Sequence, residues 1–314
     1  MMHPLKNVVC NIGESPIWLP ESRELVWIDA AGKAIYKLNM RWHTTETFSV
    51  PFDITAIARC DNNGWLCASK QGLFYCSSLF DKYVPITDPC SKASNLHLND
   101  AVTAPNGKLW FGSMNGEDLE APDGKLFQFD NGLAIEMDDN FSVANGIAFN
   151  PELKRAYCSN MFQRKVIEYQ LDDSMTIIID KSVFVEFTPH QGYPDGLTVD
   201  NSGNLLVCHW DCGMVSFYAP NKKRIGKPSK IGQIELPVKH ATRCTFGGEN
   251  FTTLFVATAD YELTSEEKER FPQSGNLFIL DAPTQGRAES LVDSSSIPIL
   301  SHANESQSLL KVAK

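Results

Sequence analysis

Six similar segments, spaced about 40 to 50 residues apart, are the feature of this sequence that most limits its fold. Each segment has a short apolar run, a polar turn that often contains Gly or Asn, and a second run rich in β-branched and aromatic residues. This order predicts two strands joined by a tight turn. The segments are PIWLPESRELVWID from Pro16, TAIARCDNNGWLCAS from Thr55, AVTAPNGKLWFGS from Ala101, GIAFNPELKRAYCSN from Gly146, GLTVDNSGNLLVCHW from Gly196 and TRCTFGGENFTTLFVATA from Thr242.

Further strand-like material follows each segment, so that one repeat holds three to four strands. Six units of about 50 residues fill the 314-residue chain. The repeats therefore predict an all-β fold, a six-bladed β-propeller, in which radial closure removes long free sheet edges. We expect a single domain over residues 1–314, with a polar tail from about residue 301. The one helical stretch, around Leu263 to Phe271, is expected to be a surface insertion.

The composition limits the partners of the chain. With 28 Lys and Arg against 38 Asp and Glu, the net charge is −10, which disfavours nucleic acid as a partner. No apolar run approaches the roughly 20 residues of a membrane span, and the first residues lack the apolar core of a signal peptide. Nine scattered cysteines without a CxxC pair indicate free thiols. We therefore expect a cytoplasmic protein with no membrane partner, either a monomer or a small homo-oligomer.

Polar residues occupy a similar place in four of the repeats, just before the first apolar run. Asn99, Asn145 and Asp195 each lie two residues before that run, and Glu14 lies about one residue earlier. The first strand of every propeller blade lines the central channel, so these side chains should converge at one mouth of it. Carboxylate and amide oxygens suit a hard divalent cation such as Ca²⁺, Mg²⁺ or Mn²⁺, and Zn²⁺ also tolerates oxygen ligands.

Each of these short motifs also has a structural interpretation. Asn-Gly and Asp-Gly are common turn dipeptides because both residues tolerate positive φ. Asp100, next to Asn99, is interpreted as a structural carboxylate or as one that supports the ligands. The recurrence of the motifs at matching positions is what favours a shared site.

At these positions the sequence resembles the SMP-30/gluconolactonase (regucalcin-like) family, and within it the bacterial sugar lactonases. The matching motifs occur in family order between about Gly13 and Leu280. They are GESP from Gly13, LND with GKLWFGSM from Leu98, ANGIAF from Ala144, PDGLTVD from Pro194 and RCTFGG from Arg243. The resemblance implies the same six-bladed propeller that the repeats predict.

The resemblance also implies roles for particular residues. One divalent cation (Ca, Zn, Mg or Mn) would be held by Glu14, Asn145 and Asp195, and Asp195 would double as general base. Asn99 would contact the metal or the substrate through its amide. The family often has Arg where this chain has His97, which lacks the fixed charge and the five-donor fork. His97 and Glu117 are expected, with Asn99, to bind the hydroxyls of a sugar lactone.

The expected activity is therefore metal-dependent hydrolysis of a sugar lactone to the aldonic acid. Two other functions stay open: an organophosphate or aryl-ester hydrolase on the same scaffold, and a non-enzymatic calcium-binding protein. The sequence contains no G-x-S-x-G nucleophile motif, no Walker A motif and no GxGxxG. The sequence therefore gives no support to a serine hydrolase, a nucleotide-binding protein or a dinucleotide-binding protein.

Overall fold

The computed structural model describes residues 2–298 and contains 24 strands in six four-stranded antiparallel sheets. The first strand precedes the repeats and is β1 (His3–Leu5). The strands of the first three blades are β2 (Gly13–Leu19), β3 (Glu24–Asp29), β4 (Ala34–Asn39) and β5 (Thr44–Ser49); β6 (Ile54–Arg59), β7 (Trp65–Ser69), β8 (Gly72–Cys76) and β9 (Tyr83–Thr87); and β10 (Leu96–Thr103), β11 (Leu109–Asn115), β12 (Gly124–Asp130) and β13 (Leu133–Phe141).

The last three blades repeat the same pattern, except that the sixth takes its outer strand from the beginning of the chain. Their strands are β14 (Ala144–Asn150), β15 (Arg155–Asn160), β16 (Lys165–Leu171) and β17 (Ile178–Glu186); β18 (Tyr193–Val199), β19 (Leu205–Trp210), β20 (Met214–Ala219) and β21 (Ser229–Glu235); and β22 (His240–Gly247), β23 (Thr253–Ala259) and β24 (Leu277–Asp281), with β1 alongside β24. The predicted six-bladed propeller is confirmed. The pairing of β1 with β24, which closes the ring, was not predicted.

Helices are few and short. The expected insertion contains α1 (Ser265–Arg270), which begins after Thr264 in a capping box with Glu267, as the sequence TSEE favours. The three 3₁₀ turns are Pro189–Gln191, Glu249–Phe251 and Ser294–Ser296. No helix among residues 2–298 has the length and apolar composition that a membrane crossing requires.

The hydrophobic core lies between neighbouring blades. Each of its six clusters of buried side chains combines residues from two adjacent blades, because both faces of a blade pack against neighbouring blades. All nine cysteines are free thiols; eight are buried, and only Cys212 is half-buried. The prediction of free thiols is confirmed.

The predicted single domain over residues 1–314 stays a prediction. The polar tail expected from about residue 301 lies outside the described residues. The ring itself positions the site, because the first strands β2, β6, β10, β14, β18 and β22 run side by side around the central channel and start at the same mouth.

Candidate active site at the channel mouth

In each of the four blades that carry a predicted site residue, one extra residue interrupts the strand pairing at the channel mouth. In β2 the pairing with β3 shifts between Glu14 and Ile17, and in β14 the pairing with β15 shifts between Asn145 and Ala148. Equivalent shifts interrupt β10 and β18. Such β-bulges re-aim side chains and are common beside active sites. The extra residue in each strand frees the side chains at the mouth from the regular alternation of the sheet.

The pairing corrects the register expected from the sequence. Glu14 and Asn145 are each the last paired residue before the bulge, whereas Asn99 and Asp195 are each the first unpaired residue within it. Asn145 therefore shares the position of Glu14, and the expected equivalence of Asn145 with Asn99 and Asp195 is wrong. The reason is that counting to the next apolar residue cannot show where the bulge begins.

Left-handed backbone follows both Glu14 and Asn145. The next residues, Ser15 and Gly146, have φ of 46° and 50°. Each of their N–H groups donates back to the preceding side chain, to Glu14 Oε2 at 3.1 Å and to Asn145 Oδ1 at 2.8 Å. A Cβ at Gly146 would also lie 2.0 Å from the carbonyl oxygen of Asp195. The Asn-Gly pair is therefore required by the close approach of β18 as well as by the turn-like backbone.

Asn145 and Asp195 are in direct contact, although 50 residues separate them in the chain. Asn145 Nδ2 donates to Asp195 Oδ1 at 2.5 Å, and both residues are buried. The backbone of Asp195 is fixed in turn by Ser159, whose Oγ donates to the Asp195 carbonyl oxygen at 2.8 Å. Two of the three residues expected to hold a cation thus lie side by side.

The charge of Glu14 acts on the carboxyl group of Asp195. The Glu14 residue is partly exposed, but its carboxyl group is enclosed by the channel wall. Burial and the charge of Asp100 raise the pKa of Glu14 to about 8, against an opposing effect of Arg243. Burial, followed by the charges of Glu14 and Asp100, raises the pKa of Asp195 well above its usual range. The two carboxyl groups are therefore close enough to repel each other when both are ionised.

A buried ion pair lies beneath these carboxyl groups. Arg243 Nη1 donates to both carboxylate oxygens of Asp100 at 2.5 Å, and the two side chains are 7% and 4% exposed. Asp100 also accepts hydrogen bonds from the N–H groups of Ala101 at 2.7 Å and Ile147 at 3.3 Å. Asp100 therefore has a structural role, which was one of its two expected roles. Its partner Arg243 begins the RCTFGG motif, but the sequence predicted no function for it.

Glycine at position 196 lets Arg243 reach that place. A Cβ on Gly196 would lie 2.6 Å from both Cβ and Cγ of Arg243. The first carbons of the Arg243 side chain therefore pack directly against Gly196, and any larger residue at position 196 would displace them. The signal available in the sequence was the Asp-Gly pair, which a turn explains equally well.

Asn99, His97 and Glu117 lie on the side of the third blade. Asn99 Nδ2 donates to the carbonyl oxygen of Ala144 at 3.2 Å, which leaves its Oδ1 without a hydrogen-bond donor among residues 2–298. His97 Nδ1 lies 2.8 Å from the carbonyl oxygen of Leu98, and burial lowers the pKa of the ring. A neutral imidazole with its proton on Nδ1 presents Nε2 as an acceptor.

Glu117 is exposed in the loop that follows β11. Its backbone N–H donates to Asn115 Oδ1 at 2.9 Å, and its carboxyl group makes no ion pair or hydrogen bond within residues 2–298. The neighbouring Gly116 faces His97, because a Cβ there would lie 2.8 Å from His97 Nε2. The structure thus brings the Glu117 loop to His97, but it does not bring the Glu117 carboxyl into contact with the other predicted residues.

The donor set fits a hard divalent cation. Glu14, Asn145 and Asp195 offer two carboxyl groups and an amide oxygen, and the two carboxyl groups repel each other in a buried channel, which a dication would relieve. Asn145 points its nitrogen at Asp195, so its amide must turn to present Oδ1 to a cation. Within residues 2–298 no three His, Cys, Asp or Glu side chains form a ligand group by themselves, so the proposed set depends on amide oxygen.

Comparison with known proteins identifies the family of this chain. Residues 12–260 match the SMP-30/Gluconolactonase/LRE-like region. The chain belongs to the SMP-30/gluconolactonase/LRE-like family. Relatives that it resembles include a pentonolactonase of Haloferax volcanii, 25% identical over 291 residues that cover 89% of this chain and 94% of the relative. A 6-deoxy-6-sulfogluconolactonase of Pseudomonas putida is 25% identical over 282 residues, covering 89% of this chain and 94% of the relative.

A solved family structure has the same fold. It is the calcium-binding protein regucalcin from Agrobacterium tumefaciens, which superimposes with a TM-score of 0.84 over 92% of this chain and 96% of that chain, at 24% sequence identity. The resemblance drawn from the motifs is therefore confirmed for both family and fold.

Proposed function

We propose that this protein is a divalent-cation-dependent sugar lactonase that opens a sugar lactone to the aldonic acid. The observation that carries the proposal is the convergence of Glu14, Asn145 and Asp195, from three different blades, at one channel mouth. The lactonase names of the relatives support the reaction class, and the calcium-binding description of the superimposed regucalcin supports a cation at the mouth.

Glu14, Asn145 and Asp195 would hold the cation. When bound, it would supply Lewis-acid polarisation of the lactone carbonyl oxygen and acidification of the attacking water. In the cation-free site Asp195 Oδ1 accepts the hydrogen bond of Asn145, and the turn of the Asn145 amide towards the cation would free this oxygen to help hold the cation. The second oxygen has no protein donor within residues 2–298, and we assign it the proton of the water. The Arg243–Asp100 pair keeps the floor of the site fixed beneath these groups.

Asn99, His97 and Glu117 would orient the sugar ring. Asn99 Oδ1 and His97 Nε2 are both acceptors in the observed hydrogen-bond arrangement, so they suit hydroxyl donors. His97 cannot supply the charged fork that Arg would offer, so the ring hydroxyls are expected to donate to this side of the site. Glu117, on an exposed loop, can reach the substrate from the rim.

The decisive experiment combines a substrate panel with a matched pair of variants. Five- and six-carbon aldonolactones are followed by a pH-indicator assay with Ca²⁺, Mg²⁺, Mn²⁺ or Zn²⁺ and with a chelator. Asp195→Asn should lower turnover by about 10²–10⁴-fold, the usual value of a positioned general base. Asp173→Asn, which removes an exposed carboxyl that forms an ion pair with Lys154, should leave turnover unchanged.

Three results would contradict parts of the proposal. Lactone hydrolysis that survives chelation would exclude the cation, and full activity of Asp195→Asn would exclude the assigned base. Faster turnover of phosphotriesters or aryl esters than of any lactone would favour the other hydrolase functions. Cation binding with no turnover of either substrate class would favour the non-enzymatic calcium-binding function.

A further inference from the structure

Residues 282–298, which follow β24, cross the face of the ring opposite to the site; we call them the strap. Its main chain is hydrogen-bonded to the turns between first and second strands in several blades. Asn201 N donates to Gln285 O at 2.8 Å, Gly286 N to Phe251 O at 2.9 Å, Val292 N to Arg59 O at 2.8 Å and Asp293 N to Gly107 O at 3.0 Å. These contacts involve the fifth, sixth, second and third blades, so the strap spans the far mouth of the channel.

The strap brings one carboxyl group into the channel. Glu289 is an exposed residue, but its Oε1 accepts a hydrogen bond from Oγ1 of the buried Thr245 at 2.8 Å. Two small cavities of about 150 and 120 Å³ lie beside the strap, and Arg243 and Glu289 line both of them. Glu289 and Arg243 therefore face the same two cavities.

Arg243 is consequently placed between two carboxyl groups. Asp100 contacts its guanidinium on the side of the site, and Glu289 acts on it from the side of the strap. Glu289 hydrogen-bonds Thr245 instead of Arg243, so its influence on the guanidinium is electrostatic. Burial raises the pKa of Glu289, and the Arg243 charge together with the Thr245 hydrogen bond opposes that effect.

We propose that Glu289 is a positioning residue for the cation site, acting through Arg243. Its carboxylate offsets the buried guanidinium, so that Arg243 can hold Asp100 in place without repelling a dication bound by Glu14 and Asp195. The inference rests on the proposed function for the position of the cation. It extends that function by making the strap, a segment outside the six repeats and on the far side of the ring, part of the electrostatics of the site.

The test measures cation affinity directly. Titration calorimetry with Mn²⁺ and with Ca²⁺ on the full chain should give a Kd about tenfold weaker for Glu289→Gln, because the variant loses a negative charge beside the buried Arg243, where the effective dielectric is low. The cation concentration that half-saturates lactone turnover should rise in parallel. Thr245→Val, which removes the donor that holds Glu289, should give a smaller loss of affinity.

Glu152→Gln is the matched control. It removes a different carboxyl–strap contact, the exposed ion pair with Arg287 at 2.8 Å, and it should leave the Kd unchanged. Thermal unfolding of the cation-free variants separates electrostatics from a structural role. A lower unfolding temperature for Glu289→Gln with a wild-type Kd would make Glu289 merely structural and would overturn the inference.

The possible failures are distinguishable. Wild-type protein that binds the cation without hydrolysing lactones would contradict the proposed function but not the role of Glu289. Equal Kd values for the wild type and Glu289→Gln would contradict the role of Glu289 alone. Wild-type protein that binds no divalent cation would overturn both.

Discussion

The channel mouth depends on backbone approaches that a single side-chain carbon would prevent. Gly146 is the clearest residue of this kind, because it combines a φ of 50° with a carbonyl oxygen of the neighbouring blade 2.0 Å from where a Cβ would be. That oxygen belongs to Asp195, so any shift forced at Gly146 is transmitted to the proposed base. Stability and site geometry are therefore coupled at this one position.

Gly146→Ala should destabilise the protein and weaken the site together. The left-handed backbone alone costs about 1–3 kcal/mol, and the displaced carbonyl adds to that. Urea unfolding should show the loss in the free energy of unfolding, and calorimetry should show weaker cation binding. Gly232→Ala is the control, since a Cβ there meets only a ring carbon of Phe217 at 3.8 Å and should change stability by no more than about 0.5 kcal/mol. Equal stability of the two variants would contradict the close approach.

His209 is a buried residue whose protonation opposes folding. Its Nδ1 lies 2.7 Å from the carbonyl oxygen of Gln191 and its Nε2 lies 2.6 Å from Ser216 Oγ, and burial lowers its pKa to about 4. The unfolded chain, with a pKa of about 6.5, takes up a proton at higher pH than the folded chain does. The stabilising effect of the neutral ring is therefore complete above about pH 6.5 and is lost as the pH falls from there to about 4.

The corresponding pH dependence is measurable in a variant. The free energy of unfolding should fall by about 1.4 kcal/mol per pH unit on account of this residue between about pH 6.5 and 4. His209→Gln should have a shallower acid slope in urea titrations across that range, whatever its stability at pH 8. An unchanged slope would show that the protonated ring is tolerated in the folded protein.

Residue types at the site could be predicted, but their mutual support could not. Glu14, Asn99, Asn145 and Asp195 could be predicted because each lies near the start of the first strand of its repeat, and these starts meet at one mouth. Arg243 was missed, since a cation does not belong to a pattern of oxygen ligands, and Glu289 was missed because it lies outside every repeat. Such partners are distant in the sequence and are brought together by tertiary packing, so no repeating sequence pattern indicates them.

At the level of strands, the inner hairpins are strongly encoded and the outer strands are not. The hairpins that begin each repeat combine apolar runs with turn residues and are almost wholly buried, as in β14 and β15. The fourth strands, such as β5 and β21, are exposed and polar, so hydrophobic alternation gives them little signal. β1 has only three residues, His3–Leu5, and no turn that joins it to its partner.

Removal of β1 should weaken the ring at the sixth blade. His3, Pro4 and Leu5 pair with β24, and Leu5 packs against the cluster that contains Leu277 and Ile279. A chain that lacks residues 1–5 should lose about 2–3 kcal/mol of stability, because it loses backbone hydrogen bonds and apolar burial. Thermal unfolding measures the effect. A chain that lacks only residues 1 and 2 should unfold like the wild type, and equal unfolding temperatures for both truncations would show that β1 contributes nothing to closure.

For the whole molecule, the number of blades was predictable because it is a count of repeats, and the convergence of their entry residues follows from the ring. The way in which the ring is completed is not a property of any repeat, since it depends on residues before the first and after the last of them. The strap across the far mouth and the strand from residues 3–5 both belong to this class. Each of them links parts of the ring that are far apart in the chain: β1 pairs with the sixth blade, and the strap is hydrogen-bonded to four blades.

The partnership of β1 with β24 also constrains the order of assembly during synthesis. Residues 3–5 are synthesised before all six repeats, but they cannot pair until residues 277–281 have been made. Five blades can collapse in succession as the nascent polypeptide emerges, but the circle becomes a cooperative unit only when its two ends meet. Any cellular factor that shields exposed strand edges would be most needed in that interval.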